Sequence, residues 1–95
     1  MELGLDGTRA IVTGAGAGIG RAVATTLAKH GVHVLLVARR IEALEAVADQ
    51  ITAAAGRRPP LLSCDLSAPD AASVIGRTAR EELGGVDIVV NNAGQ

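Results

Sequence analysis

The sequence predicts an α/β domain on a doubly wound parallel sheet, and three observations carry that expectation. Hydrophobic period switches between strand-like and helix-like runs three times along the chain. The first strand-like run breaks at once into a glycine-rich segment. The second is nearly all apolar, as a parallel strand covered on both faces must be. This alternation is the signature of βαβ units with right-handed crossovers.

Arg9 to Thr13 reads as the first strand, running into Gly14-Ala15-Gly16-Ala17-Gly18-Ile19-Gly20. Ile19, Val23 and Leu27 then recur at helical spacing, and Gly31 stops the helix. Val32 to Ala38 is the second strand. The helix after it carries Ile41, Leu44, Ala48, Ile51 and Ala55 on one stripe and ends at Gly56. Leu61 to Cys64 is the third strand, stopping at Asp65. Ser67 precedes Asp70 by three residues, a capping-box spacing that predicts a helix start there, and Gly84-Gly85 ends that helix. Val86 to Val90 is the fourth strand, followed by Asn91-Asn92-Ala93-Gly94.

These elements predict a three-layer, Rossmann-like β-α-β-α-β-α-β arrangement with strand order 3-2-1-4. The first two helices would share one face, and the third would cover the other alone. Half of that second face would then be bare, and the apolar fourth strand would be an open edge. The 95 residues are therefore expected to be an incomplete sheet, a dinucleotide-binding half-domain spanning 1–95 and cut before a catalytic half.

Composition narrows the function classes. With 48% hydrophobic and 20% charged residues and a net charge of -1, the chain reads as an ordinary globular domain. It offers no basic field for nucleic acid. The longest purely apolar stretch, Val34 to Ala38, is far short of a membrane span, and the amino terminus lacks a signal-peptide pattern. A cytoplasmic location is expected. Cys64, the single cysteine, excludes an internal disulfide and reads as a small buried residue. His30 and His33 have no partners at metal-ligand spacing, so no metal is expected.

The glycine segment carries the strongest chemical signal. A strand, a glycine turn and a helix amino terminus together present free N–H groups and a positive dipole end to a phosphate. G-x-G-x-x-G fails here, because it would need Gly at Ile19 or at Arg21. Walker A fails for want of Gly-Lys-Ser/Thr. G-x-x-x-G-x-G fits on Gly14, Gly18 and Gly20. A tight turn alone would rarely need four glycines in seven residues, each entropically costly.

Thr13 to Gly20 resembles the Thr-Gly-x-x-x-Gly-x-Gly cofactor loop of the short-chain dehydrogenase/reductase family. Asn91-Asn92-Ala93-Gly94 is similar to that family's Asn-Asn-Ala-Gly, and Asp65 to its adenine-contacting Asp, with the Leu66 backbone beside it. The motifs span nearly the whole chain in the family's order. The resemblance implies that the backbone of Gly14, Ala15, Gly16, Ala17, Gly18, Ile19 and Gly20 wraps the pyrophosphate and adenosine ribose, with Ile19 toward the nicotinamide. It implies that Asn91, Ala93 and Gly94 flank the ribose while Asn92 braces the central strand.

Charge argues for the cofactor. An acid about 20 residues past the glycines would bind a ribose 2′-OH, whereas an Arg accommodates a 2′-phosphate. Nineteen residues past Gly20 stands Arg39, with Arg40 beside it and no carboxylate at the end of the second strand. A guanidinium can bind phosphate through two hydrogen bonds, so NADP(H) is expected over NAD(H). Ala17 departs from this pattern, since NADP-preferring members of the family often carry a second basic residue at that loop position.

The family's chemistry uses a Tyr, a Lys four residues later and a Ser. These 95 residues contain no Tyr, and their only lysine, Lys29, falls on the first helix. No catalytic residue is assigned, and these residues alone are expected to be inactive. The leading expectation is the cofactor-binding portion of an oxidoreductase acting on a carbonyl or alcohol in a longer chain, which the resemblance implies is a homo-oligomer. A stand-alone dinucleotide-binding module without catalysis is the alternative. A methyltransferase also fits Gly14-x-Gly16-x-Gly18, but it would want an acid where Arg39 stands and would leave Asn91 to Gly94 unexplained.

Overall fold

The computed structural model describes residues 6–92. In chain order they form β1 (Arg9–Thr13), α1 (Gly18–Lys29), β2 (His33–Ala38), α2 (Ile41–Ala55), β3 (Leu61–Ser63), α3 (Ala71–Leu83) and β4 (Ile88–Val90). The strands are all parallel and lie in the order β3-β2-β1-β4, as the alternation of periods predicts.

Register sorts the side chains between two layers. Ala10 lies beside Val34 and Ile88, and Val12 beside Leu36 and Val90. With a side-chain period of two, this set faces one way and Ile11, Leu35 and Val89 face the other. The first set packs against Ala24 and Ala28 of α1 and Leu44, Val47, Ala48 and Ile51 of α2. On the second face Ile11, Leu35 and Val37 pack against Ile75 and Ala79 of α3. Because α3 packs on β2, Val89 of the edge strand β4 is left 62% exposed. Among the described residues, the bare half-face and open edge expected from the sequence are both present.

Several boundaries and faces differ from the sequence reading. Val32 is outside β2, because its N–H closes α1 by donating to Leu27 O at 3.1 Å, while Gly31 N–H donates to Ala28 O at 3.1 Å. Cys64 falls just past β3, although its N–H still donates to Ala38 O at 2.9 Å. Val86 and Asp87 precede β4, and Asp87 N–H donates to Arg9 O at 2.8 Å. On α1 the buried residues are Gly20, Ala24 and Ala28, whereas Ile19 is 73% exposed. Close approach to the glycine segment admits only small side chains there, which rotates the buried face by one residue. On α2 Val47 joins Leu44, Ala48 and Ile51 in the core, and Ile41 and Ala55 lie outside it.

Ser67 does not cap α3, which begins at Ala71 with Asp70 before it and no side-chain cap. Its hydroxyl instead donates to Asp65 Oδ1 at 2.7 Å, and its N–H to the same oxygen at 3.0 Å. Two successive turns, Ala68 N–H to Asp65 O and Ala71 N–H to Ala68 O, separate that bond from the helix. Among the described residues no helix is long and apolar enough to cross a membrane.

At the amino end of β1, Arg9 grips Asp87 through Nε at 3.1 Å and Nη2 at 3.3 Å, while its backbone N–H donates to the same carboxylate at 2.9 Å. These bonds hold the Asp87 carboxyl below the usual carboxylate range. A carboxyl whose folded pKa is depressed contributes stability that is present above its unfolded value and lost as pH falls through the folded one. Thermal melts at stepped pH should therefore show wild type losing more stability than Asp87→Asn below pH about 4. Equal losses would mean that the pair contributes nothing measurable.

Candidate functional site

The carboxyl ends of all four strands converge on one cleft of about 740 Å³. In open parallel sheets ligands bind outside those ends, near the point where strand order reverses. Here the reversal falls at β1, with β2 on one side and β4 on the other.

The glycine segment forms the floor. Gly14 turns the chain out of β1 at φ +63°, a left-handed conformation that glycine adopts without strain. Ala15 follows with its side chain fully buried and its N–H donating to Val37 O at 3.2 Å, which fastens the turn to β2. Gly16 lies against α2, where a Cβ would come 3.0 Å from that of Ala43. At Gly20 a Cβ would run into the Gly14 carbonyl oxygen and come within 2.8 Å of Asn92 Nδ2. The first α1 backbone bond is Arg21 N–H to Ala17 O at 3.4 Å, so the N–H groups ahead of it have no partner within the helix. No acidic residue occupies the first turn, and the positive dipole end faces outward uncompensated.

Arg39 and Arg40 form the wall beyond β2 with both side chains exposed. Ser63 O–H donates to Arg39 O at 2.8 Å and fixes the backbone there. Arg40 is the residue before α2 and has no capping side chain, so a second helix amino terminus opens beside the two guanidinium groups. Across the cleft stand Cys64, Asp65, Leu66 and Ser67. The Ser67 hydrogen bonds, with Arg39 nearby, hold the Asp65 carboxyl below the usual carboxylate range. Burial, with Asp70 and Asp65 close by, pushes the Cys64 thiol up, so it is no nucleophile at neutral pH.

Beyond β4, the buried Thr13 hydroxyl lies 3.3 Å from Val90 O and 3.2 Å from Asn91 Oδ1, and accepts Asn92 N–H at 2.9 Å. Asn92 therefore braces β4 against β1, and it also lines the cleft.

Of the residues singled out in the sequence, the cleft brings together Gly14, Gly16, Ala17, Arg39, Arg40, Asp65 and Leu66. Ala15 lies beneath it in the core, Gly20 is buried under the turn, and Ile19 points into solvent. Gly18 and Asn91 stand outside its lining, and Ala93 and Gly94 lie outside the described residues. Ser67, Ala38 and Ala43 were missed. For Ser67 the signal was its place two residues after Asp65, the spacing of an Asx turn. A second cleft of about 810 Å³ opens at the opposite ends of the strands, near Val32 and Pro60, and contains none of the glycine segment.

Residues 8–95 match the short chain dehydrogenase family. Farnesol dehydrogenase of Aedes aegypti is 41% identical over 88 residues, covering 93% of this chain and 36% of that protein. The fatty acyl-CoA reductase Rv0547c of Mycobacterium tuberculosis is 42% identical over 91 residues, covering 96% of this chain and 31% of that one. The solved structure of L-sorbose reductase from Gluconobacter frateurii, complexed with NADPH and L-sorbose, superposes with a TM-score of 0.92 at 37% identity, over 100% of this chain and 36% of that chain. This chain thus spans about a third of the length of these relatives. Sheet order, glycine turn and sequence match agree, and the chain belongs to the short-chain dehydrogenase family.

Proposed function

We propose that this chain is the NADP(H)-binding portion of an oxidoreductase that transfers a hydride between the nicotinamide and a carbonyl or alcohol substrate. The observation that carries the reading is the pair Arg39 and Arg40 on the cleft wall across from the glycine turn. A dinucleotide fits these residues. The unpaired N–H groups at the start of α1 would hold the pyrophosphate, and the backbone from Gly14 to Gly20 can be approached closely because four of its residues have no side chain. Arg39 and Arg40 would take the ribose 2′-phosphate. Asp65 and Leu66 would meet the adenine, while Asn91, Ala93 and Gly94 would flank the ribose and Ile19 would lie toward the nicotinamide. Bound there, the cofactor supplies the hydride donor or acceptor.

The L-sorbose reductase to which this chain is similar was solved with NADPH, which supports the same cofactor class here. Residues 1–95 are read as the cofactor-binding half-domain of a longer oxidoreductase, with a small-molecule carbonyl or alcohol as its substrate. Titration of nicotinamide fluorescence should give binding of NADPH at least about tenfold tighter than NADH, the effect of a single charge-assisted hydrogen bond to phosphate. Equal affinities, or tighter NADH, would overturn the cofactor assignment.

A further inference from the structure

The carboxylate of Asp65 is oriented by one neighbour. Both hydrogen bonds from Ser67, O–H at 2.7 Å and N–H at 3.0 Å, end on Oδ1. No side chain among the described residues donates to Oδ2, so that oxygen keeps its full acceptor capacity. Ala38, Ala43, Cys64 and Leu66 line the same cleft, together with Arg39, Arg40 and Asn92. A ring with an N–H donor on its rim suits that free oxygen, because an ionised carboxylate only accepts. In a dinucleotide the purine supplies that donor at position 6 when an amino group stands there, whereas a 6-oxo purine presents an acceptor at that position and carries its donor one ring atom away, at N1.

We infer that Ser67 is a positioning residue: by fixing Oδ1 of Asp65 it aims Oδ2 at the purine edge and makes the cleft select a 6-amino over a 6-oxo base. The inference rests on the dinucleotide reading above and adds to it a residue that never touches the ligand. Without the hydroxyl, the Asp65 side chain rotates about its Cα–Cβ bond among staggered positions, and only some aim it at the base. The selection then weakens although the carboxylate is intact.

The test measures dissociation constants of the full chain for NADPH and for its 6-oxo analogue, nicotinamide hypoxanthine dinucleotide phosphate in the reduced form. Wild type should favour NADPH by about tenfold, the scale of one hydrogen bond to a charged group. Ser67→Ala should bring the two constants to within about twofold by weakening NADPH alone, and Ser67→Thr, which keeps the hydroxyl, should restore the ratio. A merely structural role for Ser67 would weaken both ligands equally, and that outcome overturns the inference while leaving the dinucleotide reading in place. So would an unchanged ratio in Ser67→Ala. A wild-type chain that bound neither ligand would overturn the dinucleotide reading and this inference together.

Discussion

Replacement of Gly20 by valine is expected to leave the chain without a cooperative unfolding transition. A Cβ at that position meets the Gly14 carbonyl oxygen, comes within 2.8 Å of the Gly14 carbonyl carbon and within 2.8 Å of Asn92 Nδ2. Two of those three atoms are backbone, and that backbone is held by Ala15 N–H bonded to Val37 O at 3.2 Å in the middle of the sheet. A flexible side chain could swing aside, but a carbonyl locked into the β1 to α1 turn cannot. Overpacking a core ordinarily costs about 1–3 kcal/mol, and a clash with fixed backbone belongs at or above the top of that range. Domains have only about 5–15 kcal/mol in total, and small ones sit low in that span. Gly20→Ala should therefore lose about 3 kcal/mol or more in urea unfolding, with Gly20→Val worse. Gly18→Ala is the control. Unlike Gly20 it has a positive φ, +59°, but its Cβ would meet nothing within 4 Å, so its loss should stay near the left-handed penalty of about 1–2 kcal/mol. Equal losses at the two positions would refute the steric account.

The contrast between Ile19 and Gly20 also shows where sequence reasoning stops. Strand order, the glycine turn and the arginines after β2 could all be read from the chain, because each rests on local period or on spacing within one βα unit. The face that α1 buries depends on volume. Hydropathy favours Ile19, whereas the space above Gly14 admits only Gly20, and nothing in a hydrophobic pattern expresses that distance. Ser67 failed for another reason. A serine hydroxyl close ahead of a helix can cap it or close an Asx turn with a preceding Asp, and both uses share the same few residues. In the folded chain Asp65 wins, taking both the Ser67 O–H and its N–H. The Arg9 and Asp87 pair lies 78 residues apart in sequence and meets solely because β1 and β4 are neighbours in the sheet. The cleft wall was foreseen in its charged members but not in Ala38 and Ala43, which have no chemistry of their own and shape the slot by being small.

Arg39→Asp should reverse cofactor preference, and the magnitudes indicate by how much. Loss of a guanidinium to phosphate hydrogen bond costs about 1.5–3 kcal/mol. A carboxylate in its place adds like-charge repulsion, about 1 kcal/mol per pair of unit charges at 4 Å in water and about 4 kcal/mol at an effective dielectric of 20. Arg39 is exposed, so the lower repulsion applies, and the sum is still about 3 kcal/mol, or a loss of NADPH affinity of at least about a hundredfold. NADH carries no 2′-phosphate and should lose less than about threefold, or gain, because a carboxylate at this point can accept from the ribose hydroxyls. The fold should tolerate the change, since the interaction fixing this residue is Ser63 O–H to the Arg39 backbone carbonyl and is indifferent to the side chain. Matched titrations with both cofactors decide the matter. If NADPH and NADH weakened in parallel, Arg39 would be holding the cleft wall in shape, and its charge would not be reading a phosphate.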